Sequence, residues 1–136
     1  MELADTSVWA RKDRPAIRDW FVVALEDGEI AVCDMVALEI LHWARDGKEF
    51  RRVEDALKSV PWISIHVTDW SRARDVYRSL ADRAGGSQRS VGHPDLLIAA
   101  AAEREGVPVV HYDADYDTIA SVTAQPTRWV AARGSL

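Results

Sequence analysis

The chain has 136 residues, 48% hydrophobic and 29% charged; this fits one domain with an ordinary apolar core and excludes disordered, collagen-like and coiled-coil classes. Its 17 basic and 22 acidic side chains leave a net charge of −5, which argues against coating nucleic acid through bulk positive charge. The lone cysteine, Cys33, precludes an intrachain disulfide, and with neither a signal-peptide pattern nor a membrane-length apolar stretch, a cytoplasmic protein with no membrane partner is expected.

In chain order, Leu3-Ala4 is a strand stub and Asp5-Thr6-Ser7 a helix-cap sequence. Pro15 opens a helix with Ile17, Trp20, Phe21, Ala24 and Leu25 on one stripe, ended by Asp27-Gly28. Ile30–Cys33 reads as a buried strand, Met35–Ala44 as a helix, and 49–58 as a charged amphipathic helix broken before Pro61. Trp62–Ile65 is the third strand. Thr68 or Asp69 caps a helix running to about Ala84, with Trp70, Ala73, Val76, Tyr77 and Leu80 inward. Ala84–Gly92 has loop composition, and Pro94 starts the Ala-rich helix Asp95–Glu105, closed by Gly106. Val107–His111 and, after Pro126, Trp129–Ala131 are the last strand candidates. Strands separated by helices predict an α/β fold: a mostly parallel sheet of four to five strands flanked by helices.

Four carboxylates stand where the pattern does not require them. Asp5 follows the first strand, Asp113 the fourth, and Asp95 opens the Ala-rich helix. Glu39 is the only charged residue between Asp34 and Arg45. Residues past the carboxyl ends of parallel strands share one edge, where ligands bind; Glu39 lies within reach, one turn or more into its helix. Two like charges about 4 Å apart repel by roughly 4 kcal/mol at an effective dielectric near 20. A converging set must therefore take up protons or hold a cation. All-oxygen ligation favours Mg²⁺ or Mn²⁺ over Zn²⁺ and suits phosphoryl chemistry.

Taken singly, Asp5 reads as a cap, Asp95 as a partner of the helix dipole and Asp113 as a solvated loop acid. Glu39 resists such a reading, since a lone carboxylate in an apolar helix requires an Arg partner or a function. Asp113-x-Asp115-x-Asp117 is not a calcium loop, because Thr118 and Ala124 occupy the positions that need Gly and Glu. A haloacid-dehalogenase-like phosphatase would carry its paired acids near the N-terminus, followed by Thr or Val. No phosphate-binding glycine loop or serine nucleophile elbow is present, and the four histidines show no metal-ligand spacing.

Asp5-Thr6-Ser7-Val8-Trp9, the Glu39 helix, Pro94-Asp95-Leu96-Leu97-Ile98-Ala99 and Val110–Tyr116 together resemble, in order and spacing, the successive motifs of PIN-domain ribonucleases. The match is nearest to the VapC toxins of bacterial toxin–antitoxin pairs. The resemblance implies a single PIN domain over 1–136 with a three-layer fold. It also implies a Mg²⁺-dependent endoribonuclease (Mn²⁺ as the alternative ion) that cleaves RNA with metal-activated water, is neutralised by a VapB-type antitoxin and is commonly a homodimer. Asp5 and Asp95 become the principal metal ligands, with Glu39 and Asp113 completing the catalytic set. Thr6 matches the family's hydroxyl beside the first acid, Asp115 a secondary acid of the last motif, and Tyr116 stands where phenylalanine is commoner. The alternatives are a catalytically idle PIN-like binding module, a metal-dependent phosphatase and a DNA nuclease.

Positive charge for RNA gathers in segment 72–89, at +3, and segment 11–19, at +2. Helix-borne pairs such as Arg72–Asp75 read as solvated faces. Arg11, Arg14 and Arg89 lie nearer the acidic edge and are the candidate substrate contacts. Trp20 and Trp70 fit inward stripes, and Trp9 and Trp43 are expected in the core. The antitoxin is expected on the early helices, over 11–45.

Overall fold

Strand β1 (Glu2–Ala4) occupies the centre of a five-stranded parallel sheet. On one side lie β2 (Ile30–Cys33) and β3 (Trp62–Ile63), on the other β4 (Val109–His111) and β5 (Thr127–Trp129). The computed structural model describes residues 1–83 and 85–136; Ala84, where the expected long helix ends, lies outside the described residues. The strand order reverses direction at β1, so the crevice past the carboxyl ends of β1 and β4 is the topological switch point of the sheet. Leu3, Ala4, Ala31, Val32, Cys33, Val109 and Val110 are fully buried, as strands covered on both faces must be.

Helices α1 (Thr6–Trp9), α2 (Pro15–Glu26), α3 (Asp34–Leu41) and α4 (Gly47–Leu57) belong to the first half of the chain. The second half supplies α5 (Val67–Ala81), a 3-10 turn (Ser87–Ser90), α6 (His93–Glu105) and α7 (Asp115–Thr123). Helix α6 is buried continuously from Leu96 to Ala102 and packs against α3, α5 and α7. Its alanines permit that close approach from several sides, and Gly106, at φ 68°, ends it in the left-handed conformation that glycine adopts without strain. Buried Asp69 accepts from Arg104 at 3.0 Å, and Arg104 also reaches the Ser64 carbonyl at 2.6 Å, bracing α5 against α6.

Several elements differ from expectation. The third strand is Trp62–Ile63 rather than 62–65, because Ile65 N–H turns to the Asp34 carboxylate instead of the sheet. The fourth begins at Val109 rather than Val107, and the fifth is Thr127–Trp129 rather than 129–131, since Val109 pairs with Thr127 directly after Pro126. Helix α3 stops at Leu41, where Trp43 and Ala44 tighten into i to i−3 bonds instead of running on to Ala44. Helix α5 starts one turn position early, with His66 N–H donating to Asp69 at 2.8 Å. Trp70 is 57% exposed: the buried stripe of α5 runs through Asp69, Ala73, Val76 and Leu80 and leaves Trp70 beside it. Trp43 is 47% exposed rather than core, whereas Trp9 is buried. Trp20 is half-buried, under the Arg128 guanidinium at 5.1 Å. Helix α7 has no counterpart in the sequence reading.

Candidate metal centre

Asp5 leaves β1 and immediately caps α1. Its Oδ2 accepts from the Ser7 backbone N–H at 2.8 Å and also from the Ser7 hydroxyl. Its Oδ1 accepts from the Tyr116 hydroxyl at 2.7 Å, and the residue is 3% exposed. The capping role and the site role expected of Asp5 thus coincide in one side chain. Ser7 Oγ in turn accepts from Tyr112 N–H at 2.9 Å, tying the end of β4 to α1.

Asp95 enters from the first turn of α6, which Gly92 and Pro94 aim at the same crevice. Tyr116 O–H lies 3.4 Å from Asp95 Oδ1. Gly92 makes the approach possible, since a β-carbon there would stand 3.0 Å from Asp95 Oδ2 and 3.7 Å from Asp115 Oδ2. Past β4, Asp115 N–H donates to Asp113 Oδ1 at 2.9 Å and Gly92 N–H to Asp115 Oδ2 at 2.9 Å. Asp95, Asp113 and Asp115 each offer an oxygen within 4.8 Å of the others. Burial, a hydrogen bond to Asp115 and the charges of Asp5, Asp113 and Asp115 push the Asp95 carboxyl up to about 8.

Glu39 faces the group from α3, and its Oε1 is buried without a hydrogen-bond partner. Burial, then the charge of Asp5, raises its carboxyl above the usual range; the nearby Thr6 hydroxyl opposes the shift. Thr6 Oγ1 is likewise buried and unsatisfied. Among the described residues none of the five acids forms an ion pair, so the Arg partner considered for Glu39 is not there. The structure groups Asp95, Asp113 and Asp115, sets Asp5 next to them across the Tyr116 hydroxyl, and leaves Glu39 near Asp5 rather than in the cluster itself. The clustered oxygens of Asp95, Asp113 and Asp115, with the buried Asp5 beside them and the unpartnered Oε1 of Glu39, fit a divalent cation.

Arg11 stands at this edge. It donates to the Ser7 carbonyl at 3.0 Å and stacks over the Tyr112 ring at 4.5 Å. Arg14 precedes α2 and Arg89 sits on the 3-10 turn; both are exposed, and among the described residues neither is bonded to an acid of the crevice.

Three contributors escaped the sequence reading. Tyr116, by sequence only an aromatic replacement, supplies a fully buried hydroxyl between two acids. Gly92 supplies clearance. His111, fully buried, accepts Asp113 N–H on Nδ1 at 3.2 Å, while its Nε2 has no partner. Burial holds its imidazole below the usual range, against the acids around it. The available signal was local, since His111 and Tyr116 bracket the acids of the last motif.

The model of the PIN domain matches residues 3–122 of the chain. Ribonuclease VapC18 of Mycobacterium tuberculosis is 42% identical over 132 residues, 97% of this chain and 96% of the relative. Ribonuclease VapC51 of the same organism is 42% identical over 134 residues, 98% of this chain and 96% of its own. Among solved structures, DNA-bound VapBC from Salmonella typhimurium superposes with a TM-score of 0.72 at 18% identity, over 96% of this chain and 100% of that one. At that identity the superposition speaks for the fold. With the domain model and relatives matched over almost their whole length, the chain belongs to the PIN-domain family, among its VapC ribonucleases.

Proposed function

We propose that this protein is the toxin of a type II toxin–antitoxin pair, a Mg²⁺-dependent endoribonuclease that hydrolyses RNA phosphodiesters, with residues 1–136 forming one PIN domain. The observation that supports the reading is the cluster of Asp95, Asp113 and Asp115 at the switch-point crevice, with Asp5 and Glu39 close by and, among the described residues, no ion pair to any of the five. Asp5, Asp95 and Asp113 would hold the ion, with Asp115 beside them. When bound, the cation supplies the charge that activates water and stabilises the departing oxygen.

The remaining work falls to the chain. Glu39, whose proton affinity is raised and whose Oε1 is unpaired, accepts the proton of the attacking water, with Asp113 as the other acid in reach of that role. Thr6, unsatisfied beside Glu39, orients that water or a phosphate oxygen. Arg11, pinned by Ser7 and Tyr112, offers its free donors to the RNA phosphates, and Arg14 and Arg89 extend the contact.

The partner is a VapB-type antitoxin. An apolar groove of about 550 Å³ is lined by Trp9, Leu25, Ile40, Trp43, Val53 and Leu57, from α1 to α4 and the turn after α3. It is the place on the early helices where an apolar antitoxin segment would be buried. A second copy of the chain is expected over the separate depression of Met35, Leu38, Ile65 and Trp70, where Leu38 and Trp70 are exposed.

Induced expression of wild type beside Asp5→Ala, with RNA 5′ ends mapped, tests the reading. Growth arrest and new 5′ ends with wild type alone are expected, both suppressed by the cognate antitoxin. Arrest by both chains, or wild type without new 5′ ends, would refute it. RNA, DNA and small phosphate esters offered side by side to purified protein separate a ribonuclease from the nuclease and phosphatase alternatives.

A further inference from the structure

The acids of the crevice are held by more than their own elements. An ionised carboxylate has about four lone-pair sites. Asp5 gives two, both on Oδ2, to the N–H and the hydroxyl of Ser7. A third, on Oδ1, goes to Tyr116 O–H at 2.7 Å. One site on Oδ1 is left. The same hydroxyl lies 3.4 Å from Asp95 Oδ1, too long for a strong bond but close enough to stand between the two carboxylates. The core, rather than the acids, locates that hydroxyl. The Tyr116 ring is fully buried on α7, with its centroid 4.9 Å from that of His111. The donor is itself buried and meets Asp5 on the oxygen that Ser7 leaves free.

We infer that Tyr116 is a positioning residue of the metal site: its hydroxyl holds the Asp5 oxygen that Ser7 leaves free and sets the spacing of Asp5 from Asp95. The inference rests on the metal-dependent reading above and adds to it a residue from outside the acidic set. Partners that orient ligating carboxylates typically govern metal affinity about 10- to 100-fold. Phenylalanine at this position keeps the buried ring and removes only the oxygen, leaving Asp5 held through Oδ2 alone and no donor between Asp5 and Asp95.

The test is calorimetric titration of the full chain with Mn²⁺, wild type against Tyr116→Phe, with thermal midpoints of both recorded in chelator. The expected result is Mn²⁺ binding weakened about tenfold or more in Tyr116→Phe, with a cooperative metal-free unfolding transition retained. RNA cleavage by the variant should recover as Mn²⁺ is raised to saturation. A purely structural hydroxyl would lower the midpoint and leave Mn²⁺ affinity unchanged, and that outcome overturns the assignment, as does tighter binding. Wild type that binds no Mn²⁺ overturns the metal reading itself and this inference with it. Should the variant fail to fold, the wild-type Tyr116 hydroxyl proton in a Mg²⁺ titration decides: a hydrogen-bonded resonance that shifts and persists supports positioning, and its disappearance at saturation contradicts it.

Discussion

Asp95 shows how neighbours set the chemistry of a single residue. An unperturbed Asp titrates near 3.9, whereas burial and the adjoining acids raise Asp95 to about 8. The folded, metal-free chain therefore retains a proton that the unfolded chain releases above pH about 4. The contribution of Asp95 to stability falls as pH rises from about 4 toward about 8 and levels off beyond; Glu39, shifted the same way, adds to the fall, and His111, shifted down by burial, opposes it. The thermal midpoint in chelator is expected to drop between about pH 5 and about pH 8.5, with a shallower slope in Asp95→Asn. Because binding a cation expels the Asp95 proton, Mn²⁺ affinity should climb with pH over the same range. Asp5 behaves differently. Asp5→Ala removes the α1 cap and orphans the buried Tyr116 hydroxyl, so urea unfolding should show a loss of about 1–3 kcal/mol, while Asp95→Asn costs little. Asp5, Glu39, Asp95 and Asp113 were legible because each acid broke a pattern, at a strand end or within an apolar helix. The Tyr116 hydroxyl was not, since it meets Asp5 across 111 positions of sequence and no spacing rule spans that distance.

At the level of elements, two tight strand-to-helix passages and one helix start build the crevice. β1 passes into α1 at Asp5, β4 into α7 through Asp113, and α6 begins at His93. Gly92 is the joint at which α6 and the last motif meet, since its N–H holds Asp115 while its missing β-carbon makes room for Asp95. Gly92→Ala suits the backbone, at φ −67°, yet must displace the Asp95 carboxylate. A folded variant with Mn²⁺ affinity and RNA cleavage both reduced about tenfold is expected, read by calorimetry and single-turnover cleavage. Helix existence was largely readable from 3- and 4-residue periodicity. Helix α7 was the exception, because the acids at 113, 115 and 117 resembled a solvated loop. Yet acids in a first turn favour a helix, and Tyr116 and Ile119 already carried its buried stripe. The misplaced tryptophans have a related cause. Periodicity gives the centre of a stripe but not its width, so Trp70 lies just beside the buried stripe of α5, while Trp43 falls in the turn after α3 has ended.

Across the whole molecule, the formal charge of −5 equals the formal charge of the five crevice acids, and the remaining residues sum to zero. The acidity that argued against nucleic acid is thus local, and a bound cation removes the objection where it arises. The apolar groove lies apart from this charge. Trp43, 47% exposed on its wall, can be changed without opening the core. Trp43→Glu should weaken antitoxin binding at least tenfold by surface plasmon resonance and leave RNA cleavage intact. No helix among the described residues is long and apolar enough to cross a membrane. If the crevice acids cut RNA through a divalent cation, cleavage must depend on both the ion and Asp95. The most direct test is incubation of a defined RNA with purified wild type and Asp95→Asn, each in Mg²⁺ and in chelator, after circular dichroism has shown both to be folded. Cleavage by wild type in Mg²⁺ alone is the predicted result; equal cleavage in chelator, or by folded Asp95→Asn in Mg²⁺, would contradict it.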